Sequence, residues 1–83
     1  MPTPKSLAEI KSNAAVRVVS IEGGRGVRQR LFALGFHIGD RVVLQGHGPF
    51  RGPLLVNNLT TGTCLAVGRG IAQRIQVEAE DDA

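Results

Sequence analysis

The chain of 83 residues has room for one domain with one core, and its hydrophobic content of 42% is typical of a globular protein. No apolar run approaches the roughly 20 residues that cross a bilayer, and no apolar segment near the N-terminus suggests secretion. The net charge is +3, and the single cysteine excludes an intrachain disulfide and a CxxC site. We therefore expect a soluble cytoplasmic protein.

Charge is distributed unevenly along the chain. Residues 1–77 carry ten basic and three acidic side chains, or +7, whereas residues 78–83 carry four acidic side chains and no basic one. We predict one domain over residues 1–77 and a disordered acidic tail over residues 78–83. The domain should attract acidic surfaces, nucleic acid or anionic lipid headgroups, unless its charge serves only solubility.

In chain order, the sequence predicts a helical turn, a strand and a helix, and then four more strands. Residues 6–9 (SLAE) fit a capping box and predict a short N-terminal turn of helix. Residues 15–22 are rich in β-branched side chains and predict the first strand. The other predicted strands cover residues 41–47, 54–60, 63–67 and 73–77. Five short strands in so short a chain favour an all-β fold, a small barrel that is closed or nearly closed.

The one predicted α-helix is inserted between the first two strands. Val27, Leu31 and Leu34 recur at i, i+4 and i+7, which predicts a helix from Val27 to Leu34 with one apolar stripe toward the core. Gly35 then ends the helix, and Phe36 can pack back onto Leu31.

The opposite side of this helix is a candidate contact surface. At about 100° per residue, Arg25, Arg28 and Phe32 fall together on that side. Phe50 and Arg51 lie in a loop rich in turn residues and extend the candidate surface. Arginine and aromatic side chains are enriched among the residues that dominate binding energy, so we predict that these five bind a partner. The alternative is that Phe32 packs beneath a neighbouring loop and the arginines are only solvated.

Catalytic and metal-binding groups are few. His37 and His47 are the only histidines, and Cys64 lies within a predicted strand. A Cys64–His47 pair on neighbouring strands is conceivable, and the three residues could supply metal ligands, but their spacing matches no recognised site. A buried cysteine and a surface histidine are the more ordinary interpretation. We predict no enzyme, no cofactor and no metal site. A metal carrier or sensor and a nucleic-acid-binding barrel stay open as alternatives, although the lack of Trp and Tyr disfavours a stacking platform.

The order of these motifs resembles the FeoA family, the small cytosolic proteins of bacterial ferrous iron uptake. The resemblance covers nearly the whole chain, and its motifs lie in residues 6–11, 21–31, 34–39 and 48–53, followed by residues 65–67. The second and third motifs together are fairly specific.

The resemblance implies an SH3-like barrel with helices inserted around its first strands. It also implies a regulatory or assembly role through direct contact with FeoB, a membrane iron transporter that has a cytosolic GTP-hydrolysing domain. On this basis we expect a non-enzymatic cytoplasmic accessory protein that reaches the inner membrane through its partner and does not insert into it. Nucleic acid is not an expected partner, and a weak homo-oligomer stays open. The domain type also occurs at the end of metal-dependent repressors, where it serves interaction.

Overall fold

The computed structural model describes residues 5–47 and 52–79, which form one antiparallel sheet of six strands with short helical segments between them. The strands are β1 (Lys5–Ser6), β2 (Ala15–Ile21), β3 (Arg41–His47), β4 (Leu54–Asn58), β5 (Thr63–Val67) and β6 (Ile75–Ala79). A 3₁₀ turn (Leu7–Glu9) follows β1, helix α1 (Gly24–Ala33) joins β2 to β3, and helix α2 (Arg69–Ala72) joins β5 to β6.

The strand order is β1-β6-β2-β3-β4-β5, and every neighbouring pair is antiparallel. The predicted class, a small all-β fold with a helix between its first two long strands, is confirmed. The predicted closure is wrong, because the described sheet is open, with β1 and β5 at its two edges. β1 occupies the outer edge of β6, with Lys5 opposite Val77 and Ser6 opposite Gln76, so β5 and β6 do not meet.

The N-terminal helical turn is confirmed, but its predicted cap is not. Ser6 makes no side-chain capping hydrogen bond to the 3₁₀ turn. Its backbone instead belongs to β1, and Ser6 is buried against the sheet. This two-residue strand is the sixth strand of the sheet, and it was not predicted from the sequence.

Helix α1 begins three residues earlier than predicted and ends one residue earlier, at Ala33, but the predicted ending motif at Gly35 and Phe36 is confirmed. Gly35 has a φ of +87°, the Phe36 N–H donates to the Leu31 carbonyl at 2.9 Å, and the Gly35 N–H donates to the Phe32 carbonyl at 3.0 Å. These two bonds form a Schellman ending, which folds Phe36 back under the helix. Phe36 and Leu31 both lie in the core, at 1% and 2% exposure.

The core lies under the sheet and is built mostly from alternate strand positions. Val16 and Val18 of β2 and Ile75 and Val77 of β6 are buried, as the period of two along a strand requires. Helix α1 contributes Leu31 as its buried residue. The prediction that Leu34 belongs to the core-facing stripe of the helix is wrong, because Leu34 is 51% exposed.

Strand β6 continues to Ala79, which pairs with Val16 of β2. The strand therefore runs two residues beyond Val77, the predicted domain boundary. The remaining tail residues, 80–83, lie outside the described residues, and so does the predicted loop segment with Phe50 and Arg51.

Candidate functional site: the outer face of helix α1

Three of the predicted partner-binding residues share the outer face of α1. Arg25, Arg28 and Phe32 are all exposed, and their spacing of three and four residues places them on one side of the helix. Phe32 is 67% exposed, the largest exposure among the large hydrophobic side chains of the described chain. We call Arg25, Arg28 and Phe32 the α1 face. The alternative that Phe32 packs beneath a loop does not hold for the described residues.

The start of α1 is set by glycines rather than by a side-chain cap. Gly23 is the N-cap with a φ of +105°, a left-handed conformation that disfavours any residue with a Cβ. The Arg74 side chain crosses over it, since a Cβ on Gly23 would lie 2.8 Å from the Arg74 Nη1 atom. Gly23→Ala would therefore meet both backbone strain and a steric clash.

The charge in the first turn of α1 does not favour the helix. Its sequence, GRGVRQRLFA, contains three arginines and no acidic residue, and the first turn holds Arg25. A cation near a helix N-terminus opposes the helix dipole by about 0.3–1 kcal/mol. Arg25 therefore adds nothing to the stability of the helix, whereas Arg30, in the last turn, complements the helix dipole.

The ring of Phe32 packs against the ring of His37. The two rings meet edge to face, with centroids 4.7 Å apart and an interplanar angle of 87°. Such aromatic pairs contribute about 0.5–1.5 kcal/mol beyond the area that they bury. The contact joins the α1 face to the loop that follows the helix, which also carries the exposed side chain of Ile38.

His37 is in turn held by Asp40. The Oδ2 atom of Asp40 accepts from the His37 backbone N–H at 2.7 Å and lies 3.1 Å from the His37 Nδ1 atom. The same oxygen accepts from the Asn58 side-chain amide at 2.8 Å. Asn58 is fully buried and also donates to the Gly35 carbonyl at 3.1 Å. A buried polar cluster therefore fixes the loop between α1 and β3.

The Asp40 carboxyl is stabilised in its ionised form. Burial opposes ionisation, but the hydrogen bonds from the Asn58 amide, the His37 backbone and the His37 ring, together with the charge of that ring, outweigh it and lower the pKa of Asp40. Asp40 is therefore a carboxylate at neutral pH.

This cluster is not predicted from the sequence. His37 was considered there only as a possible metal ligand, and Asp40 and Asn58 had no predicted role. Asp40 and Asn58 lie 18 residues apart and meet only through the pairing of β3 with β4. One usable signal was an asparagine at an inward strand position, between Val56 and the following turn, where a buried polar side chain needs partners.

A separate groove lies on the other side of α1. Leu34, Ala66, Gly68 and Ile71 line it, and its volume is about 220 Å³. The exposed Leu34 side chain faces this groove, away from the α1 face.

The other titratable candidates are far apart in the sheet. His47 ends β3 opposite Leu54 of β4, whereas Cys64 on β5 lies opposite Asn57, so β4 separates the two. The conceivable Cys64–His47 pair on neighbouring strands is therefore wrong. Cys64 is also exposed rather than buried, with its Sγ atom 3.5 Å from the Asn57 Oδ1 atom. Within residues 5–47 and 52–79, no three His, Cys, Asp or Glu side chains come together as a metal site would require.

We expect no tight binding of ferrous iron by the isolated chain. His47 and Cys64 belong to strands that β4 separates, and a stable site for a transition metal needs several converging ligands. Anaerobic calorimetry with Fe(II) should give no stoichiometric heat at micromolar protein. A one-to-one site that disappears in His37→Ala, His47→Ala or Cys64→Ala would contradict this expectation.

No helix in the described ranges has both the length and the apolar character needed to cross a membrane.

Comparison with known proteins identifies the family. The FeoA domain family matches residues 5–79. A protein of Methanocaldococcus jannaschii that is provisionally named Fe(2+) transport protein A is 37% identical over 73 residues, which is 87% of this chain and 83% of that protein. The crystal structure of an iron uptake regulatory protein, FeoA, has a TM-score of 0.81 and 27% identity, and the match covers 94% of this chain and 99% of that one.

The same fold occurs in a larger regulator. A manganese-dependent transcriptional repressor matches 96% of this chain with a TM-score of 0.84 and 17% identity, but the match covers only 44% of the repressor. At that identity the likeness concerns the fold alone. The family match over residues 5–79, the Methanocaldococcus relative and the FeoA crystal structure agree with the SH3-like fold seen here, and the chain belongs to the FeoA domain family.

Proposed function

We propose that this protein is a non-enzymatic cytosolic accessory protein of ferrous iron uptake, and that it acts by binding a FeoB-type membrane transporter through its α1 face. The observation that carries the proposal is the exposed α1 face on a chain that matches the FeoA domain from residue 5 to residue 79. The names of the Methanocaldococcus relative and of the FeoA crystal structure support a place in iron transport.

The composition of the α1 face supports protein contact as its role. Phe32 offers an exposed aromatic anchor, and the two arginines offer charge that steers an acidic surface toward it. Asp40, which contacts the face through His37, is buried and engaged with His37 and Asn58. Among the described residues, neither Arg25 nor Arg28 has an ion pair within 4.0 Å, so their charge is available to a partner. Phe50 and Arg51 extend the proposed surface as predictions from the sequence.

Charge reversal on the α1 face should slow association with the transporter. In Arg25→Glu with Arg28→Glu, the steering charge is inverted, so the association rate should fall, and the wild-type rate should fall with added salt. Phe32→Ala should chiefly raise the dissociation rate and weaken binding by about 2 kcal/mol, the threshold of a hot spot. The measurement is surface-based binding to the transporter's cytosolic domain and to full-length transporter in detergent.

Matched controls exist for both changes. Lys5→Glu with Lys11→Glu reverses two charges that line a different groove, beside β1 and β6. Leu55→Ala removes a side chain on β4 that is 46% exposed, against 67% for Phe32. Both controls should bind like wild type. If the α1-face variants stay folded by circular dichroism and also bind like wild type, the α1 face is not the contact surface.

A further inference from the structure

His37 links the buried carboxylate of Asp40 to the exposed ring of Phe32. Its Nδ1 atom lies 3.1 Å from the Asp40 Oδ2 atom, and its ring centroid lies 4.7 Å from that of Phe32. The His37 side chain is 36% exposed, whereas that of Asp40 is 8% exposed. Solvent therefore reaches the imidazole of His37 but hardly reaches the carboxylate that orients it.

This geometry assigns the proton positions on the ring. An ionised carboxylate is only an acceptor, so the Nδ1 atom of His37 must carry the hydrogen of the bond to Asp40. Neutral His37 then has its lone pair on Nε2. A second proton enters at Nε2 and makes the ring a cation without breaking the Nδ1–H bond to Asp40. Protonation thus changes the charge beside Phe32 and leaves the ring in place.

We propose that His37 belongs to the α1 face as a third, proton-dependent positive charge, so that the face binds an acidic partner surface more tightly as the pH falls. The proposal rests on the function proposed above, and it adds the regulation of the same contact. Histidine changes charge between about pH 5 and 8, which makes the effect accessible at ordinary pH.

The groups around His37 determine how its protonation changes the charge of the α1 face. Among the described residues, Asp40 is the charged group within ion-pair distance of His37. Helix α1 contributes the uncharged ring of Phe32, and β4 contributes the uncharged amide of Asn58 through Asp40. The lowered pKa of Asp40 keeps its charge constant over the range in which an imidazole titrates. The added proton therefore raises the charge of the α1 face by one unit next to its aromatic anchor.

The first test uses the free protein and needs no partner. In ¹⁵N-labelled wild type near pH 8, long-range ¹H–¹⁵N NMR should show His37 protonated at Nδ1 and unprotonated at Nε2. As the pH falls, the Phe32 ring signals should shift in step with those of His37. His47→Gln, at the opposite end of β3, identifies the His37 signals by removing the other histidine. An Nε2–H tautomer, or Phe32 signals that ignore the His37 titration, would overturn the proposal.

The second test measures binding of full-length FeoB-type transporter in detergent at pH 5.8 and pH 7.8. The ratio of the His37→Gln dissociation constant to the wild-type dissociation constant should be about two- to fivefold larger at pH 5.8 than at pH 7.8. The reason is that protonated His37 gains one exposed ion pair with the partner. His37→Gln reports the transporter's own pH dependence, and His47→Gln should behave like wild type. His37→Asn serves as a second variant should the glutamine variant lose its folded spectrum.

The outcomes separate this proposal from the function on which it rests. If wild type binds and His37→Gln keeps the same pH dependence, the proton-dependent charge is refuted and the transporter contact stands. If wild type does not bind at either pH, the contact itself is refuted, and the regulation with it, even where the NMR titration shows His37 and Phe32 coupled.

Discussion

Leu31→Ala should lower the free energy of unfolding by about 2–5 kcal/mol, the range for removing a fully buried leucine side chain. Leu31 is 2% exposed and is the residue through which α1 is anchored in the core. It also lies at the start of the Schellman ending, where its carbonyl accepts from the Phe36 N–H. In a domain of this size such a loss is a large part of the total stability.

Urea unfolding of Leu31→Ala and of Leu34→Ala gives the matched comparison. The two leucines lie one helical turn apart, but Leu34 is 51% exposed and Leu31 is buried. Leu34→Ala should therefore cost less than about 1 kcal/mol, as exposed substitutions usually do. Equal midpoints for the two variants would show that α1 packs on a different side from the one described.

The elements that the sequence predicted well are those that local chemistry determines. Gly35 and Phe36 specify the helix end through hydrogen bonds within six residues, so the Schellman ending could be read directly. The outward position of Phe32 follows from the helical period, once Leu31 is directed inward. Strand bounds at β3 and β5 were predicted to the residue, because turn residues flank both.

The elements that were missed depend on contacts between distant parts of the chain. β1 forms only because β6 offers an open edge some 70 residues later, and two residues carry no period that could reveal a strand. Leu34 departs from the stripe because it is the C-cap, with a ψ of 1° that has left the helical range. The expected burial of Cys64 failed because β5 is an edge strand on which Leu65 and Val67 take the inward positions and Cys64 points outward.

The candidate site also contains one part that the sequence could predict and one part that it could not. The three residues of the α1 face belong to one helix, so periodicity alone could group them. The cluster behind them joins the loop before β3 to the end of β4, and its residues meet only in the folded sheet. Local periodicity could therefore identify a binding face but not the side chains that hold it in position.

Asn58→Ala should lower the free energy of unfolding by about 3 kcal/mol. The Asn58 amide donates to the Asp40 carboxylate and to the Gly35 carbonyl, and its Oδ1 atom accepts from the Thr60 and Thr61 backbone N–H groups. All four hydrogen-bonding positions of the amide are therefore used inside the protein. Alanine would leave the buried Asp40 carboxylate and the half-buried Gly35 carbonyl without these donors.

The difference in folding stability between wild type and Asn58→Ala should depend on pH. The lowered pKa of Asp40 determines the direction of this dependence. A carboxyl whose pKa is lower in the folded state stabilises the fold fully above its unfolded-state pKa, near 3.9. That contribution is lost as the pH falls below this value and through the lower pKa of the folded state. Because Asn58→Ala removes one of the bonds that lower this pKa, wild type should lose more stability than the variant between pH 6 and pH 3.

Urea unfolding at both pH values measures this difference, with Asn57→Ala as the control. Asn57 is the neighbouring residue on β4 and is half-buried. Its side-chain oxygen accepts from the exposed Cys64 thiol at 3.5 Å. Its replacement should cost less than about 1 kcal/mol at either pH. If Asn58→Ala and Asn57→Ala unfold alike, the buried cluster does not fix the loop, and the position of His37 beside Phe32 must be maintained by other contacts.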